Sequence, residues 1–342
     1  DLILRDAGKE LIQVIDNGRG MSPIDARLCF ERHATSKIKS IDDLFAIRTM
    51  GFRGEALASI AAVAQVVLKT RTAQDETGTE IHTDNSIIRS QEICQTPVGC
   101  QISVRNLFFN VPARRSFLKG NPVELKHIME EFTRIALAYP DIAFRMTHQD
   151  RDQFQLERSK LKPRILAVLG NTLESRLVPV SEETDFLQIS GFVGTPEATS
   201  RSRGQQYFFV NQRYIRSPYL AHAVSQAYHG LIGADEFPFF LLRLDIDPKR
   251  VDVNVHPTKQ EIKFEDDRLV YSVIQAAVKH ALSKFSVAPS LDFNLDAGIE
   301  GLSAVTQPFT TDKQDHTRSE FLFQSFTQRG QAHRLHSQAE LQ

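Results

Sequence analysis

Residues 31–57 read ERHATSKIKSIDDLFAIRTMGFRGEAL, and the two ends of this stretch differ from its ordinary middle. Arg32-His33-Ala34-Thr35-Ser36-Lys37 places two cations and two hydroxyls within one short run. Gly51-Phe52-Arg53-Gly54 leads directly into Glu55-Ala56-Leu57-Ala58-Ser59-Ile60, a run of good helix formers. Glycines just ahead of a helix let the backbone bend tightly and leave the first amide N–H groups unpaired. Those amides, the positive end of the helix and the Arg53 guanidinium together make an anion site. A phosphate chain is the expected guest. A Gly-capped loop between two helices is the competing reading, because a GxxG pattern alone is common.

Upstream, Leu11-Ile12-Gln13-Val14-Ile15 alternates only loosely and reads as a buried strand. It ends in Asp16-Asn17-Gly18-Arg19-Gly20-Met21, where Asn-Gly signals a turn. A plain β-turn accounts for this. Asp16 nevertheless stands where a strand end holds a carboxylate rigidly against a pocket, suited to accept a hydrogen bond from an amine-bearing ring. Gly18 and Gly20 leave room for such a ring to pass.

Taken together, DNGRGM, RHATSK and GFRGEALASI at these spacings closely resemble the MutL family of DNA mismatch-repair ATPases, in the wider group that includes gyrase, histidine kinases and a heat-shock chaperone. Pro97-Val98-Gly99, Asn110-Val111-Pro112-Ala113-Arg114-Arg115, Phe209-Val210-Asn211-Gln212-Arg213 and the VDVNVHPTK run over 251–259 agree, so the resemblance covers about residues 1–285. It implies that Asp16 accepts from the adenine exocyclic amine and that Gly18 and Gly20 make room for the base. Thr35, Ser36 and Lys37 then belong to a mobile lid. Arg53, Gly54, Ala56 and Leu57 cradle the phosphates, largely through backbone amides, and Lys259 reaches the terminal phosphate from a second domain.

Two departures stand out. The family's helix bearing a Glu general base and an Asn ligand for Mg2+ precedes the strand at 11–15, and it is missing from this sequence. The chain is therefore expected to be a fragment or a truncated product. Cys100 follows Pro97-Val98-Gly99 where the family usually has Thr. A thiol is the weaker hydrogen-bond partner, so a contact near the adenine is expected to be weakened.

Composition sets outer bounds. The 342 residues suffice for two cores and a tail. A net charge of −1 excludes a globally basic nucleic-acid binder, so any DNA surface must be a local patch. Cys29, Cys94 and Cys100 lack metal-like spacing and fit free thiols in a reducing, cytoplasmic setting. No apolar run approaches a membrane span, and the scattered histidines suggest no metal site. His33 and His256 read as structural.

The expected fold class is α/β, an α+β sandwich: a mixed, largely antiparallel sheet covered by helices, then a second, smaller α/β domain and a disordered tail. A helix is expected over 55–64, strands over 66–72, 78–83 and 87–94 as a meander, a half-exposed strand over 99–107, and a helix from Pro112. Leu125, Ile128, Met129, Phe132, Ile135 and Ala136 mark a packed helix over 122–139. Strands over 142–148 and 154–156 and a short helix over 163–170 close a first domain, 1–174, the ATP-binding unit. The second domain, 175–285, has strands over 186–193, 205–211 and 237–246 and helices over 219–231 and 269–285. Arg201, Arg203, Arg213 and Arg216 cluster near its loops and are candidates for a phosphate-binding DNA groove, with ordinary surface charge as the even alternative. Arg114 and Arg115 are weaker candidates of the same kind. From 286 to 342 no period appears, and the segment reads as a disordered linker toward an absent C-terminal dimerisation domain. Phe321-Leu322-Phe323-Gln324-Ser325-Phe326 is a candidate docking motif within it.

By resemblance, the parent protein is an ATP-hydrolysing switch and clamp in DNA mismatch repair, with ATP and Mg2+ as cofactors. Its expected partners are DNA without sequence preference, the mismatch-recognition protein MutS, helicase or nuclease repair factors, and a second copy paired in the presence of ATP. Two rivals remain. A type II topoisomerase ATPase subunit carries its phosphate lysine in another loop context, and VNVHPTK argues against it. A binding module without turnover is the other.

Overall fold

Strand β1 (Leu2–Arg5) reverses into β2 (Leu11–Asp16) through a 3-10 turn, Asp6–Gly8, in which three successive residues hold positive φ angles of 49°, 51° and 85°. The computed structural model describes residues 1–35, 50–51, 54–252 and 262–287. Helix α1 (Pro23–Leu28) starts where Ser22 accepts from the Asp25 amide, with Pro at the first position, where its missing N–H costs nothing. Helix α2 (Ala56–Ala61) follows the Gly-rich stretch, and then comes the expected meander: β3 (Gln65–Arg71), β4 (Gly78–Asp84) and β5 (Ile87–Cys94). Next are β6 (Gly99–Arg105), the short α3 (Pro112–Ser116), the long α4 (Asn121–Ala138), β7 (Phe144–His148), β8 (Arg151–Leu156) and α5 (Leu161–Leu169).

These strands form one eight-stranded sheet in the order β5-β4-β3-β6-β2-β1-β7-β8. Every neighbouring pair is antiparallel except β1 and β7, which run parallel. Strict alternation on β3 turns Val66, Leu68 and Thr70 to a buried face. The helices lie on that face. Phe132 of α4 stacks on Phe154 at 5.2 Å and meets Phe144 edge-on at 6.0 Å, over Leu4 and Met146. Burial of such a ring contributes about 1.5–3 kcal/mol. Beneath the C-terminal end of α4, the fully buried Arg164 guanidinium donates to the carbonyls of Ala136, Pro140, Ile142 and Glu157 at 3.3, 3.0, 2.8 and 2.8 Å.

A second sheet has the order β13-β12-β15-β10-β9, from β9 (Leu177–Glu183), β10 (Leu187–Gly194), β12 (Gln206–Val210), β13 (Arg213–Ile215) and β15 (Phe240–Ile246). Between them lie the short β11 (Thr199–Ser200), helix α6 (Pro218–Ala227) and β14 (Phe237–Pro238). The ribbon of β16 (Val251–Asp252) and β17 (Lys263–Phe264) leads to α7 (Asp267–Val287). Helices α6 and α7 cover the sheet with Leu220, Val224, Ile274 and Val278.

The architecture is the mixed, largely antiparallel α/β class expected, with local differences. The strand expected over 237–246 breaks at Phe239: Pro238 cannot donate to a ladder, and Phe237–Pro238 pairs instead with Thr199–Ser200. Strands β1 and β9 and helix α1 were not anticipated. The helix expected over 219–231 ends at Ala227, and that over 55–64 at Ala61. The chain divides into two units, Asp1–Pro289 and Ser290–Gln342. The tail expected over 286–342 lies outside the described residues from 288 onward, as does Phe321–Phe326.

Candidate functional site

Strand register builds the site. Asp16 lies opposite Cys100 on β6, and Cys100 lies opposite Thr70 on β3. The next row on the same face is Val14, Ile102 and Leu68. Asp16, Cys100 and Thr70 therefore form a polar row at one end of the helix-covered face. Cover is incomplete there: Leu68 is fully buried, whereas Val14 is 46% exposed. A cavity of about 510 Å³ opens over this gap, between β1, β2 and α4, with Leu2, Val14, Asp16, Ile135 and Phe144 among its lining. That volume lies within the range of small-molecule sites.

The Thr70 hydroxyl joins the parts. It accepts from the Met21 amide at 2.9 Å, donates to the Gly99 carbonyl at 2.9 Å and lies 3.2 Å from the Cys100 thiol. A hydroxyl has one proton and two lone pairs. With its proton spent on Gly99 and one lone pair on Met21, the second lone pair takes the thiol proton, so Cys100 is the donor. Burial raises the Cys100 pKa, and the Asp16 carboxylate raises it further, so the sulfur keeps the proton it donates to Thr70. Cys29, whose thiol donates to Ala26 at 3.1 Å, is pushed up to about 12 by burial and then by Cys100. Cys100 thus takes the place of a hydroxyl as a neutral donor.

The DNGRG turn is held tightly. One Asp16 oxygen accepts from the Gly18 amide at 2.9 Å, closing the Asn17-Gly18 turn on the strand end. Gly20 has φ +70°, and a Cβ there would fall 1.9 Å from the Arg71 carbonyl, so only glycine lets the turn lie against β3. The two ends of the 31–57 stretch also meet. Gly54, at φ +64°, lies so close to Ala34 that a Cβ would fall 2.2 Å from the Ala34 carbonyl. Beside it, His33 Nδ1 lies 3.2 Å from Glu55 Oε1. Ala56 and Leu57 open α2 with no side-chain cap on the preceding residue, and Thr35 directly follows the Ala34 contact.

This site sits in a chain with clear relatives. Residues 165–283 match the family model described as "DNA mismatch repair protein, C-terminal domain". The chain is 52% identical over 299 residues to the DNA mismatch repair protein MutL of Christiangramia forsetii, covering 87% of this chain and 48% of that protein. The chain belongs to the MutL family. It spans about half the length of the MutL proteins it matches. The solved structure "Aquifex aeolicus MutL ATPase domain complexed with ADP" is 27% identical, with a TM-score of 0.53, over 72% of this chain and 83% of that one. The N-terminal domain of a DNA repair protein superposes with a TM-score of 0.71 at 23% identity, over 84% of this chain and 89% of that one, and shows the shared fold.

In this MutL chain, the structure brings Asp16, Gly18, Gly20 and Cys100 into one corner, and sets Ala34, next to Thr35, against Gly54, two residues ahead of Ala56 and Leu57. Ser36, Lys37, Arg53 and Lys259, with His256, lie outside the described residues. Arg201, Arg203 and Arg216 are exposed, and Arg203 lies over the Phe237 ring at 4.8 Å. Arg213 departs from that group: it is half-buried, and its guanidinium donates to the Met50 carbonyl at 3.1 Å. Thr70 was missed. Its signal was the alternation of β3, which sends a hydroxyl to the same face as Val66 and Leu68. Among the described residues no group of three His, Cys, Asp or Glu side chains is placed to hold a metal ion, and no helix is long and apolar enough to cross a membrane.

Proposed function

We propose that the Asp16 corner binds the adenine of ATP and that the chain is part of the ATP-hydrolysing switch region of a DNA mismatch-repair protein. The observation that carries this is the polar row Asp16–Cys100–Thr70, buried at Thr70 and open at Asp16 onto the cavity between β1, β2 and α4. Asp16 accepts from the exocyclic amine through the oxygen not committed to Gly18. Cys100 keeps Thr70 saturated, so that the corner presents Asp16 as its acceptor. The Gly54–Leu57 backbone and Arg53 hold the phosphates, Thr35, Ser36 and Lys37 close over them, and Lys259 meets the terminal phosphate. The ADP complex of the Aquifex aeolicus MutL ATPase domain supports nucleotide as the ligand class.

Phosphoryl transfer of this kind rests on positioning and charge stabilisation. Mg2+ would neutralise phosphate charge when bound, but the described residues offer no donor set for it. Its Asn ligand and the Glu that orients water belong, by resemblance, to the helix ahead of β1. The division at 174/175, into an ATP-binding domain and a domain supplying Lys259 and a DNA surface, is part of the same proposal. So are DNA, MutS, downstream nuclease or helicase factors, ATP-dependent pairing of two copies and a cytoplasmic setting.

Titration of ADP into the chain tests the reading, with Asp16→Asn as the decisive variant. Loss of a charge-assisted bond costs about 1.5–3 kcal/mol, so affinity should fall about tenfold to hundredfold. An Asp16→Asn affinity within about twofold of the parent would place the base elsewhere.

A further inference from the structure

Arg213 is mounted with unusual care for a surface arginine. It is the first residue after the two-residue turn Asn211-Gln212, whose φ angles of +48° and +67° suit a tight β12–β13 hairpin. The turn is fastened to β15 by three bonds. The Asn211 amide donates to Leu244 at 2.9 Å, its side-chain nitrogen to the Ile246 carbonyl at 3.0 Å, and its side-chain oxygen accepts from the Ile246 amide at 3.0 Å. Strand β15 is in turn tied to the first sheet's layer, because Arg243 donates to the last carbonyls of α4, Leu137 and Ala138, at 2.9 and 3.0 Å. Next to Arg213, Tyr214 is covered by the Arg134 guanidinium of α4 at 4.4 Å. From this fixed base Arg213 reaches 163 residues back along the chain to the Met50 carbonyl, immediately ahead of the Gly51–Gly54 stretch. Burial lowers its pKa while nearby Tyr139 acts in the opposite direction, and a guanidinium keeps its charge in either case.

We propose that Arg213 is a positioning residue: by holding the Met50 carbonyl it sets the backbone that leads into Gly51, so that the second sheet governs how tightly the chain binds nucleotide phosphates. This rests on the nucleotide reading of the site. On this proposal the side chain acts through the Met50 backbone, so its removal should affect phosphate-bearing ligands and spare the base.

The test uses the 342-residue chain as parent, Arg213→Met, which keeps length and removes the donors, and Arg213→Lys, which keeps a charge and one reaching donor. Amide hydrogen exchange at Gly51, Gly54 and Glu55 should quicken at least about tenfold in Arg213→Met and less in Arg213→Lys, with Phe208 and Leu242 in the sheet unchanged. Unchanged exchange at the glycines, or equal quickening in the sheet, overturns the proposal. In the same variants ADP affinity should fall about tenfold while adenosine affinity holds; equal loss of both, or loss of neither, also overturns it. If the parent chain binds neither ligand, the nucleotide reading fails, the proposed effect on phosphate affinity fails with it, and exchange still decides whether Arg213 holds the loop.

Discussion

The Thr70 hydroxyl donates to the Gly99 carbonyl at 2.9 Å, joining β3 to the start of β6 by a bond outside the sheet ladder. That bond is one of three at the same oxygen, and two of the partners, Gly99 and Cys100, border Asp16. Replacing Thr70 with Val keeps the shape but strands the Met21 amide and the Gly99 carbonyl in a buried setting. We expect a loss of about 2 kcal/mol or more in urea unfolding, with Thr70→Ser close to the parent. A Val variant as stable as the parent would show that the hydroxyl is dispensable.

Cys29 gives a pH dependence of known sign. Its thiol is raised from the ordinary 9.0 to about 12 in the fold, first by burial. The folded chain therefore keeps this proton longer than the unfolded chain does. The contribution is complete below about pH 9 and is lost as pH climbs toward the folded value. The urea midpoint should fall between about pH 8 and about pH 10.5, and the fall should be smaller in Cys29→Ala. Identical pH profiles would remove Cys29 from the account.

Arg164 satisfies four backbone carbonyls from a position 1% exposed. Arg164→Met leaves those acceptors without a donor and should cost about 3 kcal/mol or more. Arg164→Lys should recover only part, because an ammonium cannot reproduce the planar fan of donors. Chemical denaturation of both variants checks the order parent, Lys, Met.

For DNA, reversal of the exposed Arg201, Arg203 and Arg216 to Glu should weaken binding on every sequence and flatten its salt dependence, by about 0.9 in log–log slope for each phosphate contact removed. An unchanged slope would move the groove away from this edge.

The meander over β3–β5 and the long α4 were legible because their apolar spacings of two and of three to four are written in consecutive residues. The DNGRG motif located a strand end at Asp16 and a glycine turn after it, and the structure has both there. Thr70 was not, since its importance depends on register with Cys100 and on Met21 arriving from another strand end, which no local pattern records. For the same reason, four arginines close in sequence do not reveal that Arg213 donates to the Met50 carbonyl. Strand β1 is only four residues long, too short for a period to show.

That short strand has a consequence for how the protein is made. β1 lies inside the sheet between β2 and β7, and its parallel neighbour pairs Leu2 with Met146. A segment near the front of the chain thus acquires its second edge only when Phe144–His148 has emerged from the ribosome. At about 5–20 residues per second, that is a wait on the order of ten seconds. Over that interval the β1–β2 hairpin offers an open backbone edge to any passing strand. Assembly of the larger sheet is therefore completed late, and chaperone occupancy during synthesis should be densest before α4 and β7 arrive.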